Sequence, residues 1–127
     1  MASRKRPKPD GSNAGRPKRP KEWDYLVIWE FQVCEGIERR FEKVYGSDGD
    51  WARFFRQDES YITTELVHTL AEGRTYLTLD LWTSQEAYDA FRKQHLAEYE
   101  KLDRKYEELT EREREIGGFV RVSRKSA

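Results

Sequence analysis

The sequence predicts an α+β domain of ferredoxin-like order, β-α-β-β-α-β, with a four-stranded antiparallel sheet carrying helices on one face. Two observations predict it. Strand-period runs appear at "DYLVIWEFQV", at Tyr61–Leu70 and at Arg74–Trp82, with a last short one at "FVRVS". Stretches with apolar residues three and four apart separate the first run from the second and the third from the fourth, whereas only the turn "AEG" joins the second to the third.

Composition sets the domain boundary. The 127 residues carry no net formal charge, but the balance is uneven. Residues 1–22 hold eight Lys or Arg against two acids, a net +6, and contain all four prolines. With no apolar pattern to offset its ordering entropy, this segment reads as a disordered basic tail. Residues 23–127 hold 16 basic against 22 acidic residues, a net −6, and read as one compact domain rich in aromatics. The single cysteine, Cys34, excludes an internal disulfide and a Cys-based zinc site, and reads as a small buried hydrophobe at a strand end. No run is long enough to span a membrane and no secretory signal opens the chain, so the expectation is a cytoplasmic protein.

Along the first strand, Val27, Trp29, Phe31 and Val33 share one face and Leu26, Ile28, Glu30 and Gln32 the other. Ile37, Phe41 and Val44 predict a helix that Gly46 ends. Asp50 is placed to cap a short helix carrying Trp51, Phe54 and Phe55. In the second strand Ile62, Leu66, His68 and Leu70 form the more apolar row, opposite Thr63, Glu65, Val67 and Thr69. "TSQE" at Thr83 reads as a capping box. It opens one long helix striped by Tyr88, Phe91, His95, Tyr99, Leu102, Tyr106 and Leu109. A second such box at Thr110–Glu113 suggests a re-aimed helix, which Gly117 and Gly118 stop.

The third strand poses the central question. "YLTLDLW" sets Leu77, Leu79 and Leu81 on one face and Tyr76, Thr78, Asp80 and Trp82 on the other. The leucines are expected to meet the helices. The mixed row would then lie on the open face with Leu26 and Ile28, a surface too apolar for water and best covered by a second copy of itself.

The strand "YLVIWEF", the segment "VYGSDGDWARFFRQ" and above all "YLTLDLWTSQEAYDAF" are similar to the dimeric α/β-barrel superfamily, in particular to antibiotic-biosynthesis-monooxygenase-like proteins. The likeness covers roughly residues 23–122. It implies a homodimeric α/β barrel with a pocket between sheet and helices. It also implies either cofactor-independent oxidation of phenolic, anthrone-like molecules by dioxygen or, in another branch, cleavage of haem. The sequence departs from both. The domain lacks the pocket Asn, since the only Asn is Asn13 of the tail, and Phe91 stands where the haem-cleaving branch has Trp. That argues against haem, leaving no cofactor as the implied state.

Each candidate residue carries two readings. Asp80 is a catalytic base with a raised pKa, or a structural partner of Arg74, Arg121 or an arginine of a second subunit. Glu30 shares its facing logic, and Glu65 joins them if the polar side of the second strand turns inward, which would offer three carboxylates to a metal; no spacing motif supports one. His68 and His95 are buried hydrogen-bonded histidines or catalytic bases. Tyr76, Thr78 and Trp82 line a substrate pocket, or the rings fill a dimer core. In the tail, "AGRPKRPK" half matches the Gly-Arg-Pro core of a minor-groove hook, so Arg16, Lys18 and Arg19 are weak nucleic-acid candidates beside a plain solubilising role. The function expected is oxidation of a small aromatic or hydrophobic molecule. The alternative is a non-catalytic dimeric binding protein whose tail touches nucleic acid.

Overall fold

The structure, a computed structural model, describes residues 22–122; all but the last residue of the basic tail, Arg16, Lys18 and Arg19 among them, and residues 123–127 lie outside the described residues. The elements run β1 (Tyr25–Val33), α1 (Glu38–Tyr45), α2 (Asp50–Phe55), β2 (Tyr61–His68), β3 (Thr75–Trp82), α3 (Gln85–Gln94), α4 (Leu96–Tyr106) and β4 (Thr110–Val120). The four strands form one sheet in the order β2-β3-β1-β4, and every neighbouring pair is antiparallel. This is the expected ferredoxin-like α+β arrangement.

The face assignment of the sheet is the reverse of the expectation. Tyr76, Thr78, Asp80 and Trp82 are buried, whereas Leu77, Leu79 and Leu81 are only half-buried. Pairing fixes this: Val27 lies opposite Asp80 and Phe31 opposite Tyr76, so the mixed row of β3 joins the Val27–Phe31 row of β1. Rings fill the gap between sheet and helices. Phe41 of α1 stacks on Tyr45 at 4.4 Å and meets Phe31 and Tyr76 at 5.3 and 5.0 Å. Trp82, fully buried, packs against Phe55, Tyr61, Tyr88 and Phe91. Large rings span a layer that leucines are too short to fill, and truncating one to Ala costs about 3–5 kcal/mol in a typical core. The leucines, with Leu26 and Ile28, make the uncovered outer face.

Three element boundaries also differ from expectation. Gly49 rather than Asp50 caps α2, which frees the Asp50 carboxylate to pair with Arg53 and accept from the Tyr106 hydroxyl. The long helix breaks at His95, whose backbone leaves the helical region, so α3 ends and α4 begins there. The cap of α3 is Ser84, one residue beyond the Thr83 of the expected box, and it accepts from the Ala87 amide at 3.0 Å. The third difference is largest: "TEREREIGGFV" is all strand, not a helix end followed by a short strand. Glu and Arg favour helix in isolation, but pairing along the whole of β1 overrides that preference. Cys34 is half-buried, with its thiol 3.6 Å from the Glu108 carbonyl.

Gly117 and Gly118 serve β4 rather than a helix stop. The register with β1 slips between Ile28 and Trp29, and Gly117 there adopts φ +150°, a strand bulge that favours glycine. A Cβ on Gly118 would lie 2.0 Å from the Tyr25 hydroxyl, because that ring lies across the backbone. Gly118→Val must therefore displace Tyr25 from the core. We expect a loss of roughly 1–3 kcal/mol, read as a lower urea midpoint, with Gly117→Ala destabilising through its backbone instead. An unchanged midpoint for Gly118→Val would refute this packing.

Candidate ligand cavity

The inner row of β3 is large at its ends and short in its middle: Tyr76 and Trp82 flank Thr78 and Asp80. Thr64 of β2 lies beside Asp80 and is equally short. Beneath the break between α3 and α4 these side chains leave a cavity of about 490 Å³, within the range of small-molecule sites. Trp29 and Phe31 of β1, Tyr45 of α1, Trp51 and Phe55 of α2, and Tyr88 and Tyr99 of α3 and α4 supply its aromatic walls. Arg92 and four carboxylates, Asp80, Glu100, Asp103 and Glu113, complete the lining.

Asp80 is the most buried of these acids, 7% exposed. The Thr64 hydroxyl donates to one of its oxygens at 2.6 Å. The Tyr61 hydroxyl lies 2.7 Å from that Thr64 oxygen and must be the donor there, since the single Thr64 proton is already committed. No described residue donates to the second Asp80 oxygen. Burial pushes the carboxyl up to about 6, and the Thr64 hydrogen bond holds it from going higher. Burial likewise raises the neighbouring phenols, to about 12 for Tyr61 and Tyr99 and further for Tyr88, so all three stay neutral.

Arg92 lies with its guanidinium carbon 4.4 Å from the centre of the Tyr99 ring and 5.7 Å from that of Tyr88. Its Nη1 donates to the Tyr88 hydroxyl at 3.4 Å, and its buried Nε has no acceptor among the described residues. Elsewhere on the lining, burial raises the Asp103 and Glu113 carboxyls, helped by Glu107 at Asp103 and by Asp103 and then Glu107 at Glu113.

Of the residues singled out from sequence, Asp80 and Thr78 share the cavity wall. Trp82 is within the core behind it, and Tyr76 donates to Glu42 at 2.6 Å under α1. Glu30 is on the outer face, bound to Arg114 at 2.8 Å, and Glu65 is exposed beside Leu79 on that same face. The three carboxylates Asp80, Glu30 and Glu65 therefore do not converge. His68 is exposed at the sheet edge, stacked on Tyr76 at 4.2 Å. His95 marks the break between α3 and α4 and pairs with Glu98 at 2.8 Å. The arginines offered as partners of Asp80 are engaged elsewhere: Arg74 donates to the Val33 carbonyl, Arg121 to that of Trp23. Arg92, Tyr88, Tyr99 and Thr64 belong to the cavity and were not singled out. Tyr88 and Tyr99 stood in the predicted stripe, but nothing in a helical stripe separates a cavity ring from a core ring.

No protein-family model matches the chain, and no curated protein matches it by sequence. Solved structures do share its fold. SnoaB, a cofactor-independent oxygenase from Streptomyces nogalater, matches at 18% identity with a TM-score of 0.62, over 84% of this chain and 100% of that one. A candidate antibiotic biosynthesis monooxygenase from Bacillus cereus matches at 17% identity and 0.58, over 84% and 100%. A dimeric ferredoxin-like protein from an uncultured marine organism matches at 16% and 0.58, over 86% and 96%. At these identities the likeness is one of fold, and the resemblance expected from sequence is met at that level.

The buried carboxylate makes a sharp prediction. Asp80 titrates near 6 in the folded chain against an ordinary 3.8, so the native state holds its proton more tightly. Its contribution is most favourable below about pH 4, declines as pH rises through 6, and by pH 7 amounts to a penalty of roughly 3 kcal/mol. Asp80→Asn cannot ionise and keeps an acceptor for Thr64. At pH 7 it should melt higher than wild type by on the order of 10 °C, a gap that closes by pH 4. Melting curves from pH 3.5 to 8 check this, and a gap independent of pH would contradict it.

Proposed function

We propose that the chain is an antibiotic-biosynthesis-monooxygenase-like protein that oxidises a small aromatic or hydrophobic molecule in this cavity without a bound cofactor. The observation that carries the reading is the free oxygen of Asp80 on the wall of an aromatic cavity, in a fold shared with a cofactor-independent oxygenase. Asp80 takes an acidic proton from a phenolic, anthrone-like substrate, and the resulting carbanion or enolate passes electrons to dioxygen. A ring methylene becomes a ketone, with one oxygen atom entering the product and the other leaving as water. The rings of Trp29, Tyr99 and Trp51 hold the substrate plane, and Arg92 takes a carbonyl or phenolate oxygen. A carboxylate poised near 6 is ionised at neutral pH yet basic enough to accept the proton.

The test is oxygen uptake with a panel of anthrones and polycyclic phenols. Turnover should rise along an acid limb near pH 6 and fall at least about 100-fold in Asp80→Asn, the scale of a lost general base. Ligand binding without turnover is the competing reading, favoured by the lack of Asn in the domain. It would show as tight binding with no oxygen uptake by wild type, and a tail contacting nucleic acid would add salt-sensitive binding to DNA.

In the same proposal the chain is a cytoplasmic homodimer. Among the described residues no helix is long and apolar enough to cross a membrane. The outer face offers Leu26, Ile28, Leu77, Leu79 and Leu81 beside the exposed Val67 and Phe119, an apolar surface that a second copy would cover. Leu79→Glu at its centre should convert dimer to monomer in light scattering, while Glu86→Gln on α3, away from that face, leaves the mass unchanged. A wild-type monomer would rule the dimer out.

A further inference from the structure

We propose that Thr64 is the positioning residue of the site, held by Tyr61, and that this hydroxyl pair fixes which Asp80 oxygen faces the ligand and supports the carboxylate through a directed hydrogen bond. The inference rests on the reading of Asp80 as a base. It goes beyond that reading by assigning roles on β2 to two residues that touch no substrate.

The geometry is directional. Thr64 has one proton, given to Asp80 at 2.6 Å, and the Tyr61 hydroxyl 2.7 Å away donates to the same Thr64 oxygen. Tyr61 thereby prevents Thr64 from turning its proton elsewhere. The register slip between Tyr61 and Thr63 makes the arrangement possible, because it puts both hydroxyls on the inner face although they are three residues apart. The bonded oxygen is committed to β2, so only the other is free to accept a proton from the cavity. A carboxylate buried this deeply with no cation partner would otherwise tend to stay protonated. The titratable groups facing it are Tyr61 from β2, Tyr88 from α3 and Tyr99 from α4, all neutral phenols; from β1 the neighbour is Val27, and Arg92 of α3 lies on the cavity wall. Among the described residues the donated hydrogen bond is thus the stabiliser of the ionised form.

Three variants test it: Thr64→Val, which keeps the shape and removes the proton; Thr64→Ser, which restores it; and Tyr61→Phe, which removes the support. The first readout is the titration of the Asp80 side-chain carbon by NMR, which needs no substrate. Thr64→Val should move the midpoint up by about one pH unit or more, a tenfold change in the ionised fraction below it. Thr64→Ser should return it, and Tyr61→Phe should give a smaller rise. The second readout is the acid limb of kcat/KM, which should follow the same order. Unchanged Asp80 midpoints in folded Thr64→Val, or in Tyr61→Phe should Thr64→Val not fold, would overturn the inference. Midpoints that move while oxygen uptake is absent from wild type would uphold the pair and defeat the oxygenase reading instead.

Discussion

Antiparallel pairing of β1 with β3, Val27 opposite Asp80, decides which side chains the helices cover, and most of the molecule follows from it. With that register the Tyr-Thr-Asp-Trp row must face inward, since successive strand residues alternate. The two rings at the ends of the row reach the helices and build the core. The two short side chains between them do not, and the cavity is the space they leave. The leucines are consigned to the outer face by the same alternation, so the cavity and the apolar surface are two consequences of one register. Slipping β3 by a single residue would bury leucines under α3, place Asp80 outside and abolish both.

The elements that could be read from sequence were those whose local signal agrees with their final surroundings. The first strand, the helix ended by Gly46, and the strand-to-helix junction at Ser84 all have propensity, period and capping chemistry pointing one way. Where the signals conflict, the stronger local one misleads. "TERERE" has helical composition, yet its strict alternation of Glu and Arg is a strand period, with Arg114 meeting Glu30 across the pair on the outer face. Composition masked a pattern that was present. The break at His95 left no such trace, because neither Gly nor Pro marks it and the apolar stripe continues through it.

The candidate site was legible in part for a related reason. An acid inside an aromatic strand is conspicuous on either face, so Asp80 stood out even with its face misassigned. Its donor did not. Thr64 is one of two adjacent threonines in β2, and the register slip at Ile62 that turns it inward depends on partner strands rather than on its neighbours in sequence. Glu30 and His68 drew notice for their chemistry and proved to serve the surface, one in an ion pair and the other in a ring stack.

The distribution of unsatisfied polar groups argues that the cavity is more than a packing flaw. Away from it, side-chain polar atoms find partners: Arg74 with the Val33 carbonyl, Tyr76 with Glu42, Tyr106 with Asp50, Arg114 with Glu30. Around it several do not. Among the described residues nothing donates to the second oxygen of Asp80, the buried Nε of Arg92 has no acceptor, and the Trp82 indole N–H behind the wall has none either. Each such group costs stability, and a Leu or Phe at position 80 would remove the largest of these costs while filling part of the void. A sequence selected for stability alone has easy routes out of this arrangement. Its concentration in a single cavity is what a site looks like when its hydrogen bonds are completed by a ligand rather than by the protein.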